Sequence, residues 1–241
     1  MGWSAVWHGC PFSLGVCPYG HTVRSEHFRE QANRMEKLVI AVDVPDTETA
    51  MAAAGLLAAA APPFLIKHSY RTFCFGSMLV EAFDVDPEAA FVASLLHDLG
   101  LTEEFSGDRS FELVGADHAA ALLEAHGWNT ARIRLVERAI VRHADLEPRE
   151  DPVERIVQAG AALDVAGIGL HDVDAKLLRA VVEQYPRDGF VDGILELYFA
   201  EIDAQPTGLF AGLEASVTLS GIIPHNPLCA HVGLGGGPTI G

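Results

Sequence analysis

Four stretches of helical character in this chain each carry a residue suited to binding a metal on an otherwise apolar stripe. The densest is Ala93-Ser-Leu-Leu-His97-Asp98-Leu-Gly100, where an imidazole and a carboxylate are adjacent at the end of a hydrophobic run. A carboxylate facing a core costs several kcal/mol unless it is paired or metal-bound. Packing alone therefore explains the pair badly, and it reads as half of a metal site. His68 lies on an earlier stripe with Tyr70, Arg71, Phe73 and Phe75, and His143 continues the Val136, Ile140 face of a later one. Asp164 shares a face with Val157, Gly160 and Ala161 and has no cation on that face to neutralise it. Its partner must come from another helix. A metal held by His68, His97 and Asp98 would serve, and a helix cap or a buried pair with an arginine is the alternative. Gly160 and Ala161 keep the face small enough for a second helix to approach closely.

Two histidines and two aspartates on separate helices make a nitrogen and oxygen donor set. Such a set suits Zn, Fe, Mn or Mg, and its imidazoles disfavour a pure Mg or Ca site. Four protein ligands leave room for water on a five- or six-coordinate ion, and a water made acidic by the metal is a nucleophile for hydrolysis or hydration. His143 is the candidate to move protons near neutral pH; a core histidine with its hydrogen bonds satisfied is the plainer reading. Arg71, one turn from His68, either orients substrate, steadies a metal-binding carboxylate or forms a structural salt bridge. His118 and His126 are weaker candidates.

These side chains must be held by helices, because helical periodicity and caps recur from Met35 onward. Thr47 to Ala60 is rich in Ala and Leu. Pro62-Pro63 opens a longer helix to about residue 83. Asp86-Pro87 and Asp151-Pro152 each join a capping carboxylate to a proline at the first helical position. They open helices ending at His97-Asp98 and at about Val165. Further helices are expected over Val114 to His126, Thr130 to Ala144, 174–184 and 189–203, with a polar loop at 101–112. The fold class is all-α. Residues 1–34 are expected to be a loose arm, 35–204 the helical domain and 205–241 an irregular tail.

The 241-residue chain is 49% hydrophobic and carries 33 acidic against 16 basic residues, a formal net charge of −17. That acidity argues against a nucleic-acid groove. The most apolar stretch, Met51 to Ile66, is broken by Pro62-Pro63 and too short to span a membrane. Cys10, Cys17, Cys74 and Cys229 have no framework spacing and read as reduced thiols. A zinc knuckle from His8, Cys10, Cys17 and His21 has the wrong spacing. With no secretory signal evident, the expectation is a cytoplasmic protein without nucleic-acid or membrane partners. It would act on a small molecule, with self-association open.

The order His68, His97-Asp98, Asp164 resembles that of the HD-domain metal hydrolases. More narrowly, His68-Ser-Tyr-Arg71-Thr-Phe-Cys-Phe-Gly76, Leu95-Leu-His-Asp-Leu-Gly-Leu-Thr102, Phe111-Glu-Leu-Val-Gly-Ala-Asp117 and Ala139-Ile-Val-Arg-His143 look like the cyanamide hydratase-like branch. The resemblance spans roughly residues 38–200. It implies a helical HD-domain bundle and one divalent metal, zinc in the hydratase branch, on His68, His97, Asp98 and Asp164. Relatives with two metals add two histidines. His143 falls at the second of these positions, but His118 follows Gly115-Ala116 where the first would precede that pair, so one ion is expected. Lys67 stands where hydratase-like chains tend to have a polar amide. Facing inward it would favour an anionic substrate; otherwise it snorkels to solvent. Residues after about 205 do not resemble the family.

The leading functional expectation is a metal-dependent hydratase or hydrolase converting cyanamide, or a similar nitrile, to an amide product. The alternative is a phosphohydrolase acting on a nucleotide or phosphate ester, which needs several cations at the pocket; Lys67, Arg71, Arg109 and Arg142 are the available ones. A metal- or ligand-binding domain without catalysis is the third.

Overall fold

The structure, a computed structural model, describes residues 42–82 and 84–229. Ten α-helices run through these residues: α1 Glu48–Ala60, α2 Pro63–Leu79, α3 Pro87–Leu96, α4 Phe111–Ala125, α5 Thr130–Val141, α6 Pro152–Ala166, α7 Ala175–Gln184, α8 Phe190–Ala204, α9 Leu209–Val217 and α10 Leu219–Ile222. No strand occurs among the described residues. The all-α expectation holds. The expected arm at residues 1–34, with the thiols Cys10 and Cys17, lies outside the described residues.

Local chemistry starts most of these helices. Thr47, Asp86, Asn129, Asp151 and Asp174 each accept a hydrogen bond from a first-turn backbone N–H, satisfying donors the helix itself leaves open. Pro63, Pro87 and Pro152 occupy the first helical position, where the missing N–H costs nothing. α4 is different. It begins three residues earlier than its apolar pattern indicates, and Ser110 supplies no side-chain cap. The Phe111 N–H instead donates 3.0 Å to Glu201 on α8, a cap supplied from across the fold. α2 stops at Leu79 rather than near residue 83, because Val80 turns extended to redirect the chain toward Asp86.

α3 is the centre of the bundle. Every residue from Ala89 to Leu96 is buried, with α1, α2, α5 and α6 packed around it. The most extensive pairing is α2 on α6. Gly76 and Gly160 permit it, since the space a β-carbon would fill at each is taken by the other helix's backbone, Ile156 for Gly76 and Thr72 for Gly160. The small face expected around Gly160 thus admits α2, the helix that carries His68.

A second apolar cluster joins Leu65, Leu101, Phe111 and Phe190 to Tyr198, Phe210, Leu213 and Ile223. This overturns the expectation that the chain becomes irregular after residue 205. Residues 209–225 are helical and bury Phe210, Leu213 and Ile223 against α8 and its neighbours. Phe210, Leu213 and Val217 recur there at i, i+3, i+7, a short helical stripe set among Gly208, Gly212 and Gly221. They fold because the second cluster covers them. Residues 230–241 lie outside the described residues.

Candidate metal centre

The centre forms where α3 ends. Helical geometry persists through His97, and Asp98 leaves it with φ −105° and ψ 11° before a 3₁₀ turn at Leu99–Leu101. That break lets two consecutive side chains serve one point. A β-carbon on Gly100 would lie 2.2 Å from the Phe111 carbonyl oxygen, so only glycine lets α4 close on this turn.

His68 from α2 completes the group. Its Nε2 lies 3.2 Å from His97 Nε2, and Asp98 Oδ2 lies 3.3 Å and 3.1 Å from those two nitrogens. Ligands about 2.1 Å from a common tetrahedral ion stand about 3.4 Å from one another. The three donors therefore already have the spacing of a metal site, and they are the metal-capable group found among the described residues. His68 is 1% exposed, His97 0%, Asp98 4% and His143 5%, so the centre is nearly sealed.

Each histidine has its outer nitrogen fixed by an acceptor. His97 Nδ1 donates to the Ser94 carbonyl at 2.8 Å, and His143 Nδ1 to the Ile140 carbonyl at 2.6 Å. His68 Nδ1 donates to the Asp164 carboxylate at 2.7 Å. Because these acceptors have no proton to give, the free lone pair of each neutral ring belongs to Nε2, which faces the centre. His143 follows the end of α5 and sets its Nε2 3.7 Å from Asp98 Oδ1, the carboxylate oxygen turned away from the two histidine ligands.

The electrostatics favour metal-ready forms. Burial disfavours charge on Asp98, but His97 and His68 outweigh it and hold its pKa well below the usual carboxylate range. Burial, reinforced by His97, pushes His143 down to about 4, so its ring is neutral at pH 7. Burial opposes a proton on His68 as well, yet Asp164 and Asp98 overcome it and raise its pKa; this is affinity for positive charge that a cation can satisfy in the proton's place.

Asp164 and Arg71 stand on the far side of His68 from these donors. Asp164 faces the opposite nitrogen of His68 and is bonded to two arginines. Arg71 contacts both its oxygens at 2.8 Å through Nε and Nη2, and Arg187 donates to its Oδ1 and to its backbone carbonyl. Burial alone would raise the Asp164 pKa, but Arg71, Arg187 and His68 hold it far below the normal range. Arg71 directs its other Nη to the carbonyls of Tyr185 and Pro186. With these partners Arg71 matches the salt-bridge alternative more closely than the substrate-orienting one. Lys67 stands 3.9 Å from the exposed Asp188 with its side chain partly in solvent, which matches the snorkelling alternative.

Arg187, Asn226 and Phe190 were not singled out from sequence. Asn226 donates to the Leu163 and Asp164 carbonyls, tying the C-terminal segment to the centre. Phe190 stacks on His68 with ring centroids 5.1 Å apart and lies beneath both guanidinium groups. One signal was available: Arg187 is the last Lys or Arg of the chain, alone after Arg179.

Residues 65–177 match the family model of the HD domain. Over 176 residues the chain is 27% identical to cyanamide hydratase DDI2 of Saccharomyces cerevisiae, an overlap covering 69% of this chain and 78% of that protein. The same figures hold for cyanamide hydratase DDI3 of that yeast. Among the described residues no helix is long and apolar enough to cross a membrane.

Proposed function

The chain is an HD-domain protein of the metal-dependent hydrolase class, and from that premise we propose that it hydrates a small nitrile-type molecule, cyanamide to urea. His68, His97 and Asp98 hold one divalent ion, zinc by the pattern of the hydratase branch. When bound, that ion supplies Lewis acidity toward water and toward a nitrile nitrogen.

The observation that carries this reading is the use of the buried cations. Both buried arginines near the centre, Arg71 and Arg187, are engaged by Asp164. The other cations that a phosphate reading would need face solvent. Arg109 pairs with Asp117, Arg142 with Asp145 and Lys67 with Asp188. Among the described residues, none of these five cations is left unpaired at the centre to offset the charge of a phosphate ester, whereas an uncharged nitrile needs none. The sealed setting of the donors fits a substrate of a few atoms.

His143 supplies the proton path. Its neutral Nε2 takes a proton from the attacking water as the carbon–oxygen bond forms, and returns it to the nitrile nitrogen. The elements of water are thereby added across the triple bond, and tautomerisation yields urea. His68 and His97 keep their Nδ1 protons on fixed acceptors throughout, so neither competes as a base.

Elemental analysis of the purified chain, with urea release from cyanamide assayed beside phosphate release from a nucleotide panel, tests the proposal. Metal-dependent urea formation that Asp98→Ala abolishes is expected. Phosphate release without urea, or activity persisting after complete metal removal, overturns it.

A further inference from the structure

The resemblance that introduced the ligand set places Asp164 on the metal. We infer instead that Asp164 stays off the metal and acts as a positioning residue, locking His68 from behind with Arg71 and Arg187 as its clamp. The inference rests on the reading of a metal at His68, His97 and Asp98.

The Asp164 carboxylate is saturated. An ionised carboxylate offers about four lone-pair sites. Asp164 Oδ1 accepts from Arg71 Nε and Arg187 Nη1, and Oδ2 accepts from Arg71 Nη2 and His68 Nδ1. Four donors occupy four sites, and none is left for a cation. Direction keeps Asp164 off the ion as well. The two nitrogens of an imidazole point to opposite sides of the ring. Asp164 is bonded to Nδ1, while His97 and Asp98 gather at Nε2. A carboxylate holding the Nδ1 proton cannot also reach an ion on the Nε2 lone pair. Charge acts in the same sense. Two guanidinium groups in contact with Asp164 neutralise the attraction it would offer a divalent ion and add repulsion against one placed there.

The arrangement has a positive use. An acceptor on the outer nitrogen fixes the tautomer and orientation of a metal-binding histidine and raises its basicity. The clamp also reaches the end of the described chain. Arg187 donates to the Asp164 carbonyl, and Asn226 donates to the same oxygen at 2.9 Å. The segment after residue 205 thereby helps hold a ligand from the domain's first third. With three protein ligands, more of the ion's coordination shell is open to water and substrate than four would leave.

The test uses the full-length chain and Co²⁺ alone. In a crystal structure of the cobalt-loaded protein, the ion is expected on His68 Nε2, His97 Nε2 and Asp98, with Asp164 still on His68 Nδ1 and both arginines. Asp164→Asn is expected to weaken Co²⁺ affinity by about 10- to 100-fold while leaving the visible absorption spectrum of the bound ion unchanged. Asp98→Asn is expected to remove that spectrum. Should Asp164→Asn fail to fold, Arg187→Lys gives the same readout: weaker affinity with an unchanged spectrum. An Asp164 oxygen within about 2.2 Å of the cobalt, or a changed spectrum in either folded variant, overturns the inference alone. A wild-type chain that binds no Co²⁺ overturns it together with the proposed function.

Discussion

A β-carbon built on Gly160 would stand 1.9 Å from the carbonyl oxygen of Thr72. This contact between α6 and α2 sets the distance at which Asp164 meets His68 and Arg71. Gly160→Ala must push the helices apart, at an expected cost of about 1–3 kcal/mol from overpacking, and the displacement should also weaken metal binding. Gly55, inside α1, has nothing within 4 Å of the same position. Gly55→Ala should stabilise by roughly 0.5–1 kcal/mol and leave metal binding unchanged. Thermal melts and a metal titration on the two variants check both signs.

His143 stands 3.7 Å from the free oxygen of Asp98 and edge-on to the His97 ring, outside the three clustered donors. His143→Gln should therefore keep its metal while kcat for urea formation falls by about 10²- to 10⁴-fold, the usual worth of a positioned acid or base. Elemental analysis beside steady-state kinetics separates the two effects. Metal lost along with the rate would make His143 a ligand instead.

A chelator should abolish activity and lower the melting temperature, because an ion bound by the folded chain alone adds about 2.7 kcal/mol at a hundredfold excess over its Kd. Restoring the metal should restore both. Melting curves before and after chelation, at fixed protein concentration, decide it.

Acid sensitivity is expected from Asp86, the cap of α3. Burial alone would raise its pKa, but Arg132 and the backbone N–H of Ala89 together bring it below the ordinary value. A carboxyl whose folded pKa is depressed contributes stability above its unfolded pKa of about 3.9, and that contribution is lost as pH falls through the folded value. Arg132→Met should lower the melting temperature at pH 7, and the gap from wild type should narrow below about pH 4. Part of the gap should persist, because Arg132 also lies 3.4 Å over the Trp128 ring. Melts across a pH series read this directly.

Asn226 offers a check on the C-terminal segment. Asn226→Ala removes one donor from each of the buried carbonyls of Leu163 and Asp164, which keep Gly167 and Arg187 as the others, at an expected cost of about 0.5–1.5 kcal/mol per bond. Denaturant unfolding measures it, and an unchanged midpoint would show that residues 219–229 do not hold the centre.

Much of this protein can be read along the chain. Thr47, Asp86-Pro87 and Asp151-Pro152 announce their helices because a cap acts on the next few residues only. The apolar pattern places His68, His97, Asp98, His143 and Asp164 on inward faces because burial follows helical period. The small residues at Gly160 and Ala161 mark where α2 comes close. Tertiary structure decided what periodicity does not encode. A helical face says that Asp164 points inward, not which nitrogen of His68 it will meet. That depends on an interhelical distance set by Gly76 and Gly160 together. Arg187 lies in the joint between α7 and α8, where no period reports burial, and the N-terminal cap of Phe111 comes from Glu201, 90 residues away. Residue types and their order determined that this chain could hold a metal. The packing of α2 on α6 determined which donors face one point and which carboxylate stands behind them.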